Sequence, residues 1–142
     1  MKKFDISHNS KLYAYVADLN DAIEGLDFLS KDEDFVQVGT MNYKKGKSTP
    51  PHYHLIHEKE SNMTQEVVIV YKGEVTCKIF TIEGEHIQSV VLKPGQFIVQ
   101  LYGVHEYIMN EDSVIMEVKN GPYYGMEIDR KRIEINDNAS SA

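Results

Sequence analysis

Residues 46–73 read GKSTPPHYHLIHEKESNMTQEVVIVYKG. They combine a His-x-His pair, His52 and His54, with an apolar run that opens at Glu66 and ends at Gly73. Side chains alternate with period two along a strand, so a strand at this position would point both histidines to one face. Their Cα atoms would then lie about 6.5–7 Å apart, a separation that two imidazoles can close onto one metal ion. Glu66 begins a second strand, and its carboxylate can complete the set from a neighbouring position.

A further imidazole, His105, follows the segment LYGV and is available as a fourth ligand. Imidazole and carboxylate donors without thiolates suit mid-series divalent ions, not a soft-metal site. The alternative for each histidine by itself is an ordinary surface or core side chain. A carboxylate that opens an apolar strand needs a partner if it is buried, and this favours the metal site. We therefore predict one divalent ion (iron, manganese, nickel or zinc) bound by His52, His54, Glu66 and His105.

The composition of the chain is typical of one globular domain. It has 142 residues, of which 42% are hydrophobic, enough to form a substantial core. The net charge is −7 and there is no long basic run, which argues against nucleic acid as a partner. No apolar stretch approaches the ~20 residues of a membrane-spanning helix. Cys77 is the only cysteine and MKKFDISHNS lacks the apolar segment of a signal peptide, so we expect a cytoplasmic protein without membrane contact.

Short apolar runs separated by turn residues predict an all-β protein. No helical period occurs after residue 35, so the pattern indicates a β-sandwich or barrel. We divide the chain into an irregular N-terminal segment, residues 1–34, that packs on or extends a barrel of residues 35–135, and a flexible tail, residues 136–142. Within the first segment we expect a strand at 11–17, then a short helical turn and a strand at 26–29. The strands predicted for the barrel are 35–43, 66–71, 74–81, 86–92, 96–101, 104–109 and 113–119.

The central stretch resembles the first motif of the cupins, which are small double-stranded β-helix (jelly-roll) proteins. That motif reads Gly, five residues, His-x-His, a short gap, Glu, six residues, Gly. The gap here is longer than the usual three or four residues, and Glu58 would fit the usual gap as a rival ligand. We prefer Glu66 because its spacing to the second glycine and its apolar strand fit the motif. The matching residues are Gly46, His52, His54, Glu66 and Gly73.

The second cupin motif is kept in part. Gly95, Gly103 and His105 hold its frame, but Leu101 replaces the proline, the histidine comes one residue early, and Asn110 comes one residue late. Together the two motifs cover about half the chain. The resemblance implies the jelly-roll fold, a bound metal and a homodimer, and the strand-rich N-terminal third could pair across that dimer interface.

A third stretch, residues 117–133 (EVKNGPYYGMEIDRKRI), is similar to compact bacterial cupins associated with surface-polysaccharide or sugar-nucleotide genes. That similarity implies a small-molecule ligand, and we expect isomerisation or epimerisation of a sugar derivative first and metal-dependent dioxygenation second. The alternatives are a sugar- or metal-binding cupin without turnover, and a cupin that has lost its metal.

Two further residues are candidates for acid–base roles. Tyr107 follows His105 by two positions, so on an unbroken strand it shares the same face and can act as an acid–base group or anchor a sugar hydroxyl. His57 can act as a base or as a fifth ligand. The competing interpretations are a core tyrosine with a hydrogen-bonded hydroxyl and a loop histidine beside Glu58 and Glu60.

Overall fold

The computed structural model describes residues 1–135, which are almost entirely β-strand and loop. Helical structure there is limited to a 3-10 turn, Leu19–Asp21, and a four-residue helix α1, Met126–Asp129. The strands of this region are β1 (Lys3–His8), β2 (Lys11–Asp18), β3 (Gly25–Phe28), β4 (Gly39–Asn42), β5 (Glu66–Lys72), β6 (Val75–Phe80), β7 (His86–Leu92), β8 (Gln96–Gln100), β9 (Val104–Met109) and β10 (Val114–Lys119).

The strands form antiparallel sheets. A five-stranded sheet has the order β1-β2-β8-β5-β10, a three-stranded sheet has the order β7-β6-β9, and β3 pairs with β4. No helix among residues 1–135 is long and apolar enough to cross a membrane. The prediction of an all-β protein is confirmed.

The core consists of two clusters on the opposite faces of the five-stranded sheet. Between the two larger sheets, Val68 and Ile98 pack with Cys77 and Ile79 of β6. On the other face, alternate residues of the same strands pack with side chains of the segment between β3 and β4. The apolar run after Glu66 is therefore buried on both sides, as its composition predicts.

Most predicted strands after residue 65 are confirmed within one residue at each end. In the N-terminal segment, the strand predicted at 11–17 is confirmed as β2, and the predicted turn and strand correspond to the 3-10 turn and β3. The segment is less irregular than expected, because β1 was not predicted and joins the five-stranded sheet together with β2. Both strands pair within the same chain, so this segment extends the main sheet.

The strand predicted at 35–43 is shorter than expected and covers only β4. At the start of the predicted strand the backbone binds a side chain and not a neighbouring strand. Gln65 Oε1 accepts hydrogen bonds from the backbone N–H groups of Phe35 (2.8 Å) and Val36 (3.2 Å). Gln37 in turn donates to the backbone oxygens of Lys31 and Asp34. These contacts satisfy backbone groups that would otherwise need a neighbouring strand.

Residues 43–65, all of which the structure describes, form one long loop without strand or helix. The prediction that His52 and His54 lie on a strand is therefore wrong. Pro50 and Pro51 have no N–H to donate to a ladder, and the polar run from His57 to Asn62 has no apolar face to bury. The tail predicted at 136–142 lies outside the described residues.

Candidate functional site

A polar group lies at one end of the otherwise apolar space between the two larger sheets. Glu66 is the first residue of β5 and Gln100 the last of β8, and the two are paired in register. His105 and Tyr107 belong to β9, and period two puts both on the same face of the three-stranded sheet. Tyr107 pairs in register with Cys77 of β6. The antiparallel registers thus bring a carboxylate, an imidazole and a phenol together from opposite sheets.

Glu66 is the centre of the hydrogen bonds in this group. Its Oε1 lies 2.9 Å from His105 Nε2 and accepts a 3.4 Å hydrogen bond from the Tyr107 hydroxyl. The Tyr107 hydroxyl in turn accepts from Gln100 Nε2 at 3.2 Å. Gln100 Nε2 also lies 3.3 Å from the Cys77 sulfur. The site is therefore a connected network and not a set of isolated polar side chains.

Gln100 carries the one buried polar atom of this network that lacks a hydrogen-bond partner within the described residues. Its Oε1 is buried and has no hydrogen-bond partner among residues 1–135. A buried amide oxygen without a partner is energetically costly, so this end of β8 carries an unsatisfied acceptor beside the network.

The electrostatics of the site favour an ionised carboxyl group at Glu66 and a protonated phenol at Tyr107. Burial raises the pKa of Glu66, but the hydrogen bond and charge of His105, a hydrogen bond with Glu117 and the nearby Lys119 outweigh it, so the pKa lies below its usual value. Burial first, and then the charges of Cys77 and Glu66, raise the pKa of Tyr107 well above its ordinary value. Near neutral pH, Glu66 is therefore a carboxylate, and Tyr107 keeps its hydroxyl proton and can donate a hydrogen bond.

The contact with Glu66 also assigns the tautomer of His105. A carboxylate only accepts hydrogen bonds, so the Nε2 atom that faces it carries the proton. This leaves Nδ1 of a neutral imidazole as the nitrogen with a free lone pair. About 35% of the His105 side chain is exposed, so the ring remains accessible to solutes.

The network borders a cavity of about 960 Å³, large enough for a sugar-sized or larger molecule. Its walls come from β5, β8, β9 and β10 and from the chain that follows α1. That last segment is held in place by a hydrogen bond from Thr64 Oγ1 to Asp129 Oδ1 at 2.9 Å. A second pocket of about 370 Å³ lies between β5, β10 and Leu19, away from the network, and its lining is mainly apolar.

The structure brings together only some of the predicted site residues. Glu66, His105 and Tyr107 are in contact, whereas His52 and His54 lie in the exposed loop 43–65. The two loop histidines are neighbours, with ring centroids 5.5 Å apart, and His52 Nδ1 lies 2.9 Å from a backbone oxygen of the same loop.

His57 and Glu58 are exposed in the same loop, where His57 Nδ1 lies 3.0 Å from the Glu58 backbone oxygen. Of the two rival carboxylates, Glu66 is the one beside His105. Within residues 1–135 no group of three or more His, Cys, Asp or Glu side chains is close enough together to hold a metal ion. The four-ligand set therefore stays a prediction.

Several lining residues were not singled out from the sequence. Gln100 is a buried polar residue at the end of an apolar strand, and that contrast was a usable signal. Glu117 and Lys119 share one face of β10 with Ile115, which packs against the core, whereas the apolar residues on the other face of this strand are exposed. Alternation alone would therefore have placed the two charged side chains in solvent and not in the cavity lining. The basic triplet at 130–132 is too short to count as a long basic run and was assigned no role from the sequence.

Comparisons of the chain with protein-family models, with curated proteins and with solved structures gave no match. The function is therefore argued from the geometry of the site.

Proposed function

We propose that the protein is a small-molecule isomerase or epimerase, acting on a sugar derivative, whose reacting groups are Glu66, His105 and Tyr107. The observation that carries this proposal is the 2.9 Å contact between the Glu66 carboxylate and His105 Nε2 at the edge of the cavity. An imidazole held by a buried carboxylate is a base with a fixed orientation, as in other acid–base sites.

In this mechanism, His105 Nδ1 takes a proton from a substrate carbon next to a carbonyl. The electron pair of the broken C–H bond moves to the carbonyl oxygen and forms an enolate. Glu66 holds the ring and stabilises the positive charge that develops on it. This charge stabilisation is strongest where water is excluded, and Glu66 is only 8% exposed.

Tyr107 supplies the complementary hydrogen-bond donor. Its raised pKa keeps the phenol protonated, so it can donate a hydrogen bond to the enolate oxygen in place of its bond to Glu66. Return of the proton from His105 to the neighbouring carbon, with the hydroxyl proton of the original carbon passing to the enolate oxygen, gives an isomer. Return of the proton to the opposite face of the original carbon, after the enolate has turned over in the cavity, gives an epimer. Neither outcome needs an oxidant or a reductant.

The proposal also includes the cupin type of barrel. It is supported by two facing antiparallel sheets, by the motif positions Glu66 and His105 on facing strands, and by Gly73 and Gly103 at positive φ in the connections between strands. The resemblance of the sequence to the cupins also supports a homodimer, which is part of this proposal.

A second candidate is the metal centre predicted from the sequence. An ionised carboxylate and an imidazole converge at the cavity, and both are donors that iron, manganese, nickel and zinc accept. His52 and His54 would complete the set if the loop 43–65 moved to the cavity. The ion would supply Lewis-acid polarisation of a carbonyl or hydroxyl group, or an open coordination position.

Deuterium incorporation tests the first candidate. The protein is incubated in D₂O with a panel of sugar phosphates and nucleotide-linked sugars, and exchange next to the carbonyl is followed by NMR. We expect exchange with the wild type and a rate about 10²–10⁴-fold lower for His105→Ala. Glu24→Gln, at an exposed position, serves as a control for Glu66→Gln and should keep the wild-type rate. Binding without exchange across the panel would establish the non-catalytic alternative instead.

Metal analysis of protein purified without an affinity tag tests the second candidate. About one equivalent in the wild type that is lost in the His52→Ala/His54→Ala double variant, and kept in the exposed-site control His86→Ala, would establish the centre. Wild-type protein that takes up no divalent ion after soaking would exclude it.

A further inference from the structure

Four cationic side chains lie on the rim of the cavity, in a protein whose net charge is −7. The chain has only two arginines, Arg130 and Arg132, and both line the cavity together with Lys131 between them. Lys119 of β10 adds a fourth cation to the same lining. The same lining also holds four carboxylates, Glu66, Glu106, Glu117 and Asp129, so an anion site there depends on the cations that are not paired with them.

The ion pairs on the rim leave part of this charge uncompensated. Asp129 is shared by Lys119 Nζ at 3.9 Å and Arg130 Nε at 3.6 Å, and Lys119 also lies 3.3 Å from Glu117. Within residues 1–135, Lys131 and Arg132 form no ion pair. Two exposed cations therefore remain on the rim for a ligand.

The rim segment is held by contacts at both of its ends. At the start, the backbone N–H of Arg130 donates to Met126 O at 3.0 Å, and Asp129 is bonded to Thr64. Beyond the triplet, the side chains of Ile133 and Ile135 lie over the turn between β6 and β7 at Gly84. The cations are thus presented on an anchored segment that spans the cavity from β10 to the opposite sheet.

We infer that the ligand of this cavity carries a phosphate or carboxylate group that binds at the rim to Lys119, Arg130, Lys131 and Arg132. The planar guanidinium group binds such oxyanions through two parallel hydrogen bonds, which a lysine cannot do. The ionised Glu66 on the floor repels an anion, so the uncharged part of the ligand faces Glu66 and His105. This inference rests on the proposed function and narrows its substrates to anionic ones.

Isothermal titration with inorganic pyrophosphate, inorganic phosphate and succinate tests the inference on the full chain. We expect saturable binding that weakens as salt rises, and an affinity at least tenfold lower for Arg130→Gln/Arg132→Gln. A Lys2→Gln/Lys93→Gln variant loses the same charge at exposed positions outside the cavity lining and should bind like the wild type. Urea midpoints of both variants are measured to verify folding.

The ligands distinguish the two sources of the anionic group. Tighter binding of pyrophosphate and phosphate indicates that the anionic group of the ligand is a phosphate, and tighter binding of succinate indicates that it is a carboxylate. Absence of binding by all three, or an equal loss of affinity in both double variants, would overturn the inference. Because this readout requires no turnover, its failure is separate from failure of the deuterium-exchange test.

Discussion

Gly103 connects β8 to β9 two residues before His105, and its replacement by alanine gives a stability change that can be worked out from the structure. Its φ is +87°, and a Cβ atom there would lie 2.6 Å from Tyr13 Cδ1 and 2.7 Å from the backbone oxygen of Phe80. A non-glycine residue in the left-handed region costs about 1–2 kcal/mol. Overpacking against a buried ring and a backbone oxygen adds about 1–3 kcal/mol.

Gly103→Ala should therefore reduce the free energy of unfolding by about 2–5 kcal/mol, a large fraction of the ~5–15 kcal/mol of a typical domain. For a chain of this length each kcal/mol lowers Tm by roughly 3–4 °C, so Tm should fall by roughly 6–20 °C. The assay is equilibrium urea unfolding followed by circular dichroism, with a thermal scan at the same protein concentration.

Gly46→Ala is the matched control. Gly46 also has a positive φ, +92°, but a Cβ atom there would have no neighbour within 4 Å. This variant should show at most the conformational cost of about 1–2 kcal/mol. Equal destabilisation by the two substitutions would refute the packing of Gly103 against Tyr13 and Phe80, and with it the path of the chain into β9.

The remaining predictions concern a cap, the core and the thiol. Asp18→Ala should cost about 0.5–1 kcal/mol, because its Oδ1 accepts from the Asn20 backbone N–H at 2.9 Å, as an N-cap does. That bond also lowers the pKa of Asp18, so the stabilisation should be full above about pH 4 and lost as pH falls through the lowered pKa. Urea unfolding of the wild type and the variant at several pH values measures it, and a difference in unfolding free energy that does not change with pH would contradict it. Ile98→Ala, at a fully buried site, should cost about 2–5 kcal/mol in urea unfolding, whereas Ile56→Ala in the exposed loop should cost less than about 0.5 kcal/mol. Burial raises the pKa of Cys77 to about 12, so its thiol should react with a chromogenic disulfide only after unfolding, and fast reaction in native buffer would contradict its burial.

The sequence was informative where local periodicity decides structure. Alternation and turn residues located β5 to β10, because each of these strands has one face or both in the core. The same logic missed β1, whose six residues bury only Ile6 completely and carry three charged or polar side chains on their exposed positions. This segment is a strand because it pairs with β2, and such a pairing cannot be read from the local sequence pattern.

The candidate site was predictable only in part. Glu66 and His105 were singled out separately, but their contact depends on two sheets facing each other, and that information lies in the topology. His52 and His54 were placed on a strand by spacing alone, whereas the proline pair before them and the polar residues after them lead to an exposed loop. The role of Arg130 and Arg132 could not be found at all without the cavity that they line.

The most direct test of the central claim is the tautomeric state of His105, read from the ¹⁵N chemical shifts of its two ring nitrogens in uniformly labelled protein. We expect a protonated Nε2 and an unprotonated Nδ1 in the neutral ring of the wild type, because Nε2 faces the Glu66 carboxylate at 2.9 Å. The Glu66→Leu variant, which has no acceptor at that position, should lose this preference. A neutral ring that carries its proton on Nδ1 and not on Nε2, or shifts that do not respond to removal of the carboxylate, would contradict the proposal that Glu66 holds His105 as the base.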